Sequence, residues 1–163
     1  MTPGGPTPRA ATRDDIPALA RVINAAYVVE SHFIRGTRTT EQELHDKLDT
    51  PGAAFLVLDG RQPGTLAGAV YVALRGPRGY FGLLSVDPIH QGEGLGRRLV
   101  EAAEAHCRAA GCEVLEIDVV NLRTELPTFY AQFGLLPMGT APFPAPEKLT
   151  QPVHLVVMSK ALA

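Results

Sequence analysis

The chain has no tryptophan and only two cysteines, Cys107 and Cys112. Their spacing fits neither a zinc-ligand set nor a C-x-x-C redox pair, and no histidine group stands beside them. No structural metal is expected, and the two read as buried thiols of a reducing compartment. Long hydrophobic runs are missing as well: Ala53 to Leu58, among the longest clean ones, is far too short to cross a bilayer. Nor does charge of one sign dominate. A formal charge of −2 with 20% charged residues offers no extended basic or acidic surface, so neither nucleic acid nor a membrane is expected as a partner. The opening MTPGGPTPRAATRDD has neither a charged n-region nor an apolar h-region, so no signal peptide is expected and the expected location is cytoplasmic. No internal repeat is visible.

What is present is enough apolar sequence for a sizeable core. A chain of 163 residues can bury about 70% of its unfolded surface without disulfide or metal. Residues 1–7, rich in Pro, Gly and Thr, are expected to be a disordered tail, and 8–163 a single domain. A short strand at Arg9–Ala11 meets a helix start at Thr12–Asp15, where Pro17 suits the first turn and Leu19, Val22, Ile23 and Ala26 form the stripe. Thr40 and Glu43 are spaced as a capping box for a second helix, which Pro51-Gly52 ends. Strands are expected at Ala53–Asp59, Thr65–Leu74 and Tyr80–Val86, joined by short Gly/Pro turns that suit an antiparallel meander. A helix over Gly94–Ala110, with Arg97–Glu101 and Glu104–Arg108 pairs on its outer side, precedes a strand at Cys112–Val120. Strand, helix, strand implies a right-handed parallel crossover. A short helix at Glu125–Phe133 and strands at Leu135–Met138 and Val153–Ser159 complete the order β-α-α-β-β-β-α-β-α-β-β. The fold class is therefore α/β, a mixed sheet flanked by helices.

One stretch needs a chemical explanation. In VDPIHQGEGLGRRLVEAAEA, Gly92, Gly94 and Gly96 crowd a helix start although glycine is costly beside helices. The first N–H groups of a helix lack partners and its N-terminus carries partial positive charge. Stripping side chains from the entry lets a phosphate approach those groups, and Arg97-Arg98 add cations. A P-loop is excluded by the spacing and by the absent Lys, and a Rossmann fingerprint by Arg97 where its third glycine belongs.

Gln91-Gly92-Glu93-Gly94-Leu95-Gly96 resembles the [RQ]-x-x-G-x-[GA] motif of the GCN5-related N-acetyltransferases. GYFGLLSVDP resembles that family's fourth strand, VVNLRTELPTFYAQFGL its tyrosine-bearing segment, and the element order matches from about Arg9 to Leu162. The resemblance implies acetyl-CoA as co-substrate and no metal. It implies that pantetheine lies between splayed fourth and fifth strands against the backbone of Leu84, Ser85 and Val86. Gln91, Gly92, Glu93, Gly94, Leu95, Gly96 and Arg97 would hold the pyrophosphate, and Asn121 the pantetheine arm. Tyr130 would be the general acid for the departing thiolate. Asn121 and Tyr130 stand nine apart where seven is more usual, and Pro127 interrupts the helix between them.

An attacking amine needs a proton acceptor, for which Glu30, Asp118, Glu116 and His154 are candidates, with Glu30 and Asp118 preferred. Tyr27, Glu30 and Phe33, after the first helix, are expected to wall an aromatic and anionic recess for a cationic amine. His32, His45, His90 and His106 read as surface or turn residues. The expected activity is transfer of acetyl from acetyl-CoA to a primary amine, of a small molecule rather than a protein. A non-catalytic acyl-CoA sensor on the same fold is the alternative. Homodimers are common in the family, and the Pro-rich GTAPFPAPEKLTQP loop is expected either to cover the pocket or to meet a second subunit.

Overall fold

The computed structural model describes residues 7–162, so the tail expected at 1–7 lies outside the described residues except for Thr7. Along the chain run β1 (Arg9–Ala10), α1 (Ile16–Ala26), α2 (Glu41–Asp49), β2 (Ala53–Asp59), β3 (Leu66–Arg75) and β4 (Arg78–Val86). They are followed by α3 (Leu95–Ala109), β5 (Val114–Val120), α4 (Leu126–Ala131), β6 (Leu136–Pro142) and β7 (His154–Ala161), with short 3₁₀ turns between some of them. The expected order of strands and helices holds. The strands form one sheet in the order β1-β2-β3-β4-β5-β7-β6, antiparallel throughout except for the parallel β4–β5 pair. Among the described residues no helix is long and apolar enough to cross a membrane.

Each face of the sheet has its own core. On one, Leu99, Val100 and Ala103 of α3 pack against Phe81, Leu115 and Ile117. On the other, Ile16, Leu19 and Ile23 of α1 and Leu44 of α2 pack against Phe55, Val57 and Tyr71. The start of α2 is capped as its sequence suggests on one side only. Thr40 Oγ1 accepts from the Glu43 N–H at 3.2 Å, while the Glu43 carboxylate takes the Thr39 hydroxyl at 3.1 Å.

Several bounds shift from expectation, three of them for local reasons. β6 continues to Pro142, beyond Met138, because it is an edge strand paired only with β7, where a missing N–H is tolerated. α4 is shorter than 125–133, with Pro127 in its first turn. β5 begins at Val114, after Cys112 has turned its buried thiol toward α3.

The departure that matters most is in β4. Leu83 has φ of 51°, the only non-glycine residue with positive φ among the described residues, and the β3–β4 register shifts between Ala69 and Tyr71. Residues two apart on a strand normally share a face. Here Phe81 packs on the α3 side and Leu83 on the α1–α2 side, so the bulge reverses the alternation halfway along the strand.

Candidate active site

β4 and β5 are paired only at Arg78–Val114, Gly79–Leu115 and Tyr80–Glu116. Past Tyr80 the bulged β4 bends away, and the edge of Leu84, Ser85 and Val86 that would face β5 has no strand partner. A cavity of about 350 Å³ opens in this gap. Phe81 to Leu84 and Ile117 to Val120 form its strand walls, Tyr27 and Glu30 come from the segment after α1, and Tyr130 comes from α4. Phe143 and Pro144 of the Pro-rich loop close one side. That loop is clasped to the residues after α1: Arg35 N–H donates to the Lys148 carbonyl at 2.7 Å and Thr150 N–H to the Phe33 carbonyl at 3.0 Å. It covers the pocket.

Tyr130 is buried at 6% exposure, with its ring edge-on to Phe81 and Phe129 at centroid separations of 5.8 and 5.0 Å. Its hydroxyl has no protein hydrogen-bond partner, yet no side-chain polar atom is both sealed from solvent and unpaired among the described residues. The hydroxyl therefore opens on the cavity. Burial first, and the neighbouring Tyr27 and Tyr80 next, raise its pKa well above the ordinary phenol value, so it stays protonated.

The two carboxylates stand in different surroundings. Glu30 is buried at 5% exposure and its Oε2 accepts from the Arg123 guanidinium at 2.9 Å. Burial raises its pKa and outweighs the opposing pull of Arg123 and Arg38. Asp118 stands at the cavity mouth, open to water there but walled by protein on the cavity side. Among the described residues its Oδ1 accepts the Tyr80 hydroxyl alone, at 3.2 Å; desolvation raises its pKa and that bond opposes the rise. Tyr27 lines the cavity with Arg38 stacked 5.2 Å from its ring centre, and burial pushes its phenol up to about 12.

Phe33 does not reach the cavity. It packs with Ile34 and Val120 in a third apolar cluster. Asn121 is also turned away, since its Oδ1 accepts from the His154 N–H at 2.9 Å and its own N–H donates to the His154 carbonyl at 2.9 Å. This two-way clasp ties the end of β5 to β7. Glu116 is paired with Arg78 at 3.2 Å.

Gly92 and Gly94 both have positive φ, 87° and 79°, and a side chain at either would point into open space. Gly94 is the N-cap of α3. Among the described residues no protein acceptor takes the backbone N–H groups from Gly92 to Arg97, which leaves a run of free donors at the positive end of a helix. This donor set suits a diphosphate. Gly96 is different: a Cβ there would lie 3.6 Å from Phe129, in ordinary contact. Arg97 reaches across to α4, donating to Gln132 Oε1 at 2.9 Å and stacking 4.9 Å from the Phe133 ring centre. Glu93 sits 3.3 Å from His90 Nδ1, and His90, which reads as a surface or turn residue in the sequence, lies in a turn but is buried at 6% exposure.

Several residues around the cavity carry no local signal in the sequence. Arg123, the partner of Glu30, is 93 positions away, and Tyr80, the partner of Asp118, is 38 away. Both partnerships follow from strand register and the β4–β5 gap, not from any motif.

The Acetyltransferase (GNAT) family matches residues 18–135 of the chain. A mycothiol acetyltransferase of Propionibacterium freudenreichii is 30% identical over 143 residues, which is 83% of this chain and 44% of that protein. The chain thus spans less than half of that relative's length. Among solved structures, the ribosomal-protein-alanine N-acetyltransferase of Brucella melitensis superposes with a TM-score of 0.74 at 20% identity, over 94% of this chain and 98% of that one. The Salmonella typhimurium protein YncA, solved with its cofactor acetyl-CoA, gives 0.75 at 18% identity, over 98% and 95%. Likeness at these identities establishes a shared fold.

Proposed function

The chain belongs to the GNAT acetyltransferase family, and from that premise we propose that residues 8–163 form one cytoplasmic N-acetyltransferase domain that moves an acetyl group from acetyl-CoA to a primary amine of a small molecule. The observation that carries the reading is the gap between β4 and β5, into which the unpartnered hydroxyl of the buried Tyr130 opens. The relative is a mycothiol acetyltransferase and the fold neighbour a ribosomal-protein-alanine N-acetyltransferase, so the size of the acceptor rests on the cavity, closed on one side by the Pro-rich loop.

Acetyl-CoA would supply the activated acetyl thioester. The free N–H groups from Gly92 to Arg97 hold the diphosphate, and the unpaired edge of Leu84, Ser85 and Val86 offers backbone groups to the pantetheine amides. Tyr130 keeps a proton on its hydroxyl and donates it as a hydrogen bond where the sulfur departs. An unperturbed phenol near 10 is already a weaker acid than a thiol near 8.5, and burial moves Tyr130 further that way. Its role is that of a strong donor to the departing sulfur; as the C–N bond forms and the C–S bond breaks, the second proton of the acceptor nitrogen passes to the thiolate and CoA leaves as the thiol. Asp118, whose carboxylate is engaged only by Tyr80, takes the proton from the acceptor ammonium at the mouth. Glu30, in the cavity wall, is held by the Arg123 guanidinium.

The test is calorimetry of acetyl-CoA binding together with thiol release over a panel of amines, with Tyr130→Phe in parallel. The expected result is cofactor binding by both proteins and turnover that falls about 100-fold or more in the variant. Binding without thiol release on any amine would favour a non-catalytic acyl-CoA sensor. No binding would refute the reading of the glycine loop.

A further inference from the structure

Four cations gather at the outer side of the cavity: Arg38 from the loop before α2, Lys47 from α2, Arg75 from the end of β3 and Lys148 from the Pro-rich loop. None has a carboxylate within 4.0 Å or donates a side-chain hydrogen bond among the described residues. Elsewhere Arg9, Arg78, Arg108, Arg123 and Lys160 each reach an acidic partner.

Three of the four are held over tyrosine rings. Arg38 lies 5.2 Å from the centre of Tyr27, Lys47 lies 4.7 Å from Tyr71 and Arg75 lies 4.8 Å from Tyr80, and the Tyr71 and Tyr80 rings are 6.4 Å apart. Stacking occupies the face of a guanidinium and leaves its in-plane N–H fork free for an anion. Arg38 is also carried on a fixed backbone. Asn24 of α1 accepts from the Thr39 N–H at 2.9 Å and donates to the Thr39 carbonyl at 3.1 Å. Lys47 is half-buried, and its pKa is lowered first by that burial and then by Arg38, with Glu43 opposing and Arg75 adding to the fall.

These cations are not placed for the cofactor's phosphates. Tyr71 and Tyr80 belong to the α1–α2 side of the sheet, whereas α3 and the glycine loop that starts it belong to the other. Along β4, Tyr80 and Val86 also stand at opposite ends of the bulged stretch, at most about 20 Å apart. Among the described residues the acids lining the cavity are Asp118 and Glu30, and Glu30 is already paired with Arg123.

We propose that the acceptor is a small amine that also carries a compact anionic group, a carboxylate above all, with the anion held by Arg38, Lys47 and Arg75 and the amine directed to Asp118. This rests on the acetyltransferase reading above and names the substrate class of that same cavity. It replaces an anionic recess for a plain cation with a bipolar site, and it disfavours polyamines.

The test uses matched pairs on the full chain saturated with CoA: amino acids against their carboxamides, phosphoethanolamine against ethanolamine, and spermidine as the polycation. Binding is read by NMR titration and turnover by thiol release with acetyl-CoA. The expected result is at least a 10-fold preference for the anionic member of a pair, with the amino acid and phosphoethanolamine arms separating carboxylate from phosphate. Arg38→Gln and Arg75→Gln should each lose most of that preference while acetyl-CoA affinity, measured by calorimetry, stays unchanged. Equal or better binding of carboxamides or spermidine by the unaltered protein, or no binding of any anionic amine, would overturn the proposal. So would weakened acetyl-CoA binding in the arginine variants. Failure of acetyl-CoA to bind the unaltered protein would instead refute the acetyltransferase reading.

Discussion

Arg123→Met should expose how much of the cavity wall depends on one buried charge. Glu30 is 6% exposed in its side chain and Arg123 18%, with 2.9 Å between them. Removing one partner of such a pair leaves an uncompensated buried charge, at a cost of about 3–5 kcal/mol. The partial exposure of Arg123 places the expected loss near the lower end, about 3 kcal/mol at neutral pH, or roughly 6–12 °C in melting temperature for a chain of this size. The pH dependence carries the sign. Burial holds Glu30 above its ordinary pKa in the folded protein, so the fold binds a proton more readily than the unfolded chain. Its ionisation therefore destabilises the fold as pH rises from the ordinary carboxylate range through the folded pKa. Without Arg123 the folded pKa rises further and that loss deepens. The variant should thus approach the parent protein near pH 4.5 and fall away from it toward pH 7.5. Urea unfolding at several pH values measures this. Adding Glu30→Leu to Arg123→Met should recover most of the loss at neutral pH, because two apolar residues leave no buried charge. A double variant no more stable than the single one, or a gap that does not change with pH, would refute the account.

The glycines of the loop should separate in their tolerance. Gly94→Ala forces a Cβ into positive φ and should cost about 1–2 kcal/mol, whereas Gly96→Ala meets only ordinary contact and should gain about 0.5–1 kcal/mol, both by urea unfolding. The Cys107 thiol, fully buried and pushed up to about 12 chiefly by that burial, should resist a thiol reagent at pH 8 in the folded protein and react at once in denaturant. Tyr130→Phe should leave the melting temperature within about 2 °C, since its hydroxyl bonds no protein group, while thiol release collapses. A large loss of stability there would mean that the hydroxyl has a structural partner.

Periodicity made most of the framework legible. The stripe of α1 is a local pattern, and its Leu19, Val22 and Ile23 land in the core they predict. The glycine loop was legible because its signal is also local. The cavity was legible through the family resemblance, which points to the gap between β4 and β5 and to Leu84 and Tyr130; its ion pairs and cations were not, because they meet through pairing over long sequence distance. Arg123 reads as an ordinary loop arginine until the end of β5 brings it to Glu30. Phe33, next to Tyr27 and Glu30 in sequence, turns into the cluster under the Pro-rich loop because the chain there winds through a 3₁₀ turn, not a strand or regular helix. The charge balance of the recess was missed for the same reason, since Arg38, Lys47 and Arg75 come from separate elements.

Leu83 joins the framework to the site. Leucine at positive φ costs about 1–2 kcal/mol, and nothing in its sequence neighbourhood announces such a conformation. Burying its side chain at 8% exposure contributes about 1.5–3 kcal/mol in return, so the bulge is held by the α1–α2 core and does not depend on a ligand. The same bend that turns Leu83 to that core takes Leu84 to Val86 away from β5 and opens the cavity. Closing the gap would mean pulling Leu83 out of its core, so the space between the strands is a built feature of the folded chain. The Tyr130 hydroxyl then opens on it from α4, and Arg38, Lys47 and Arg75 line it from three separate elements.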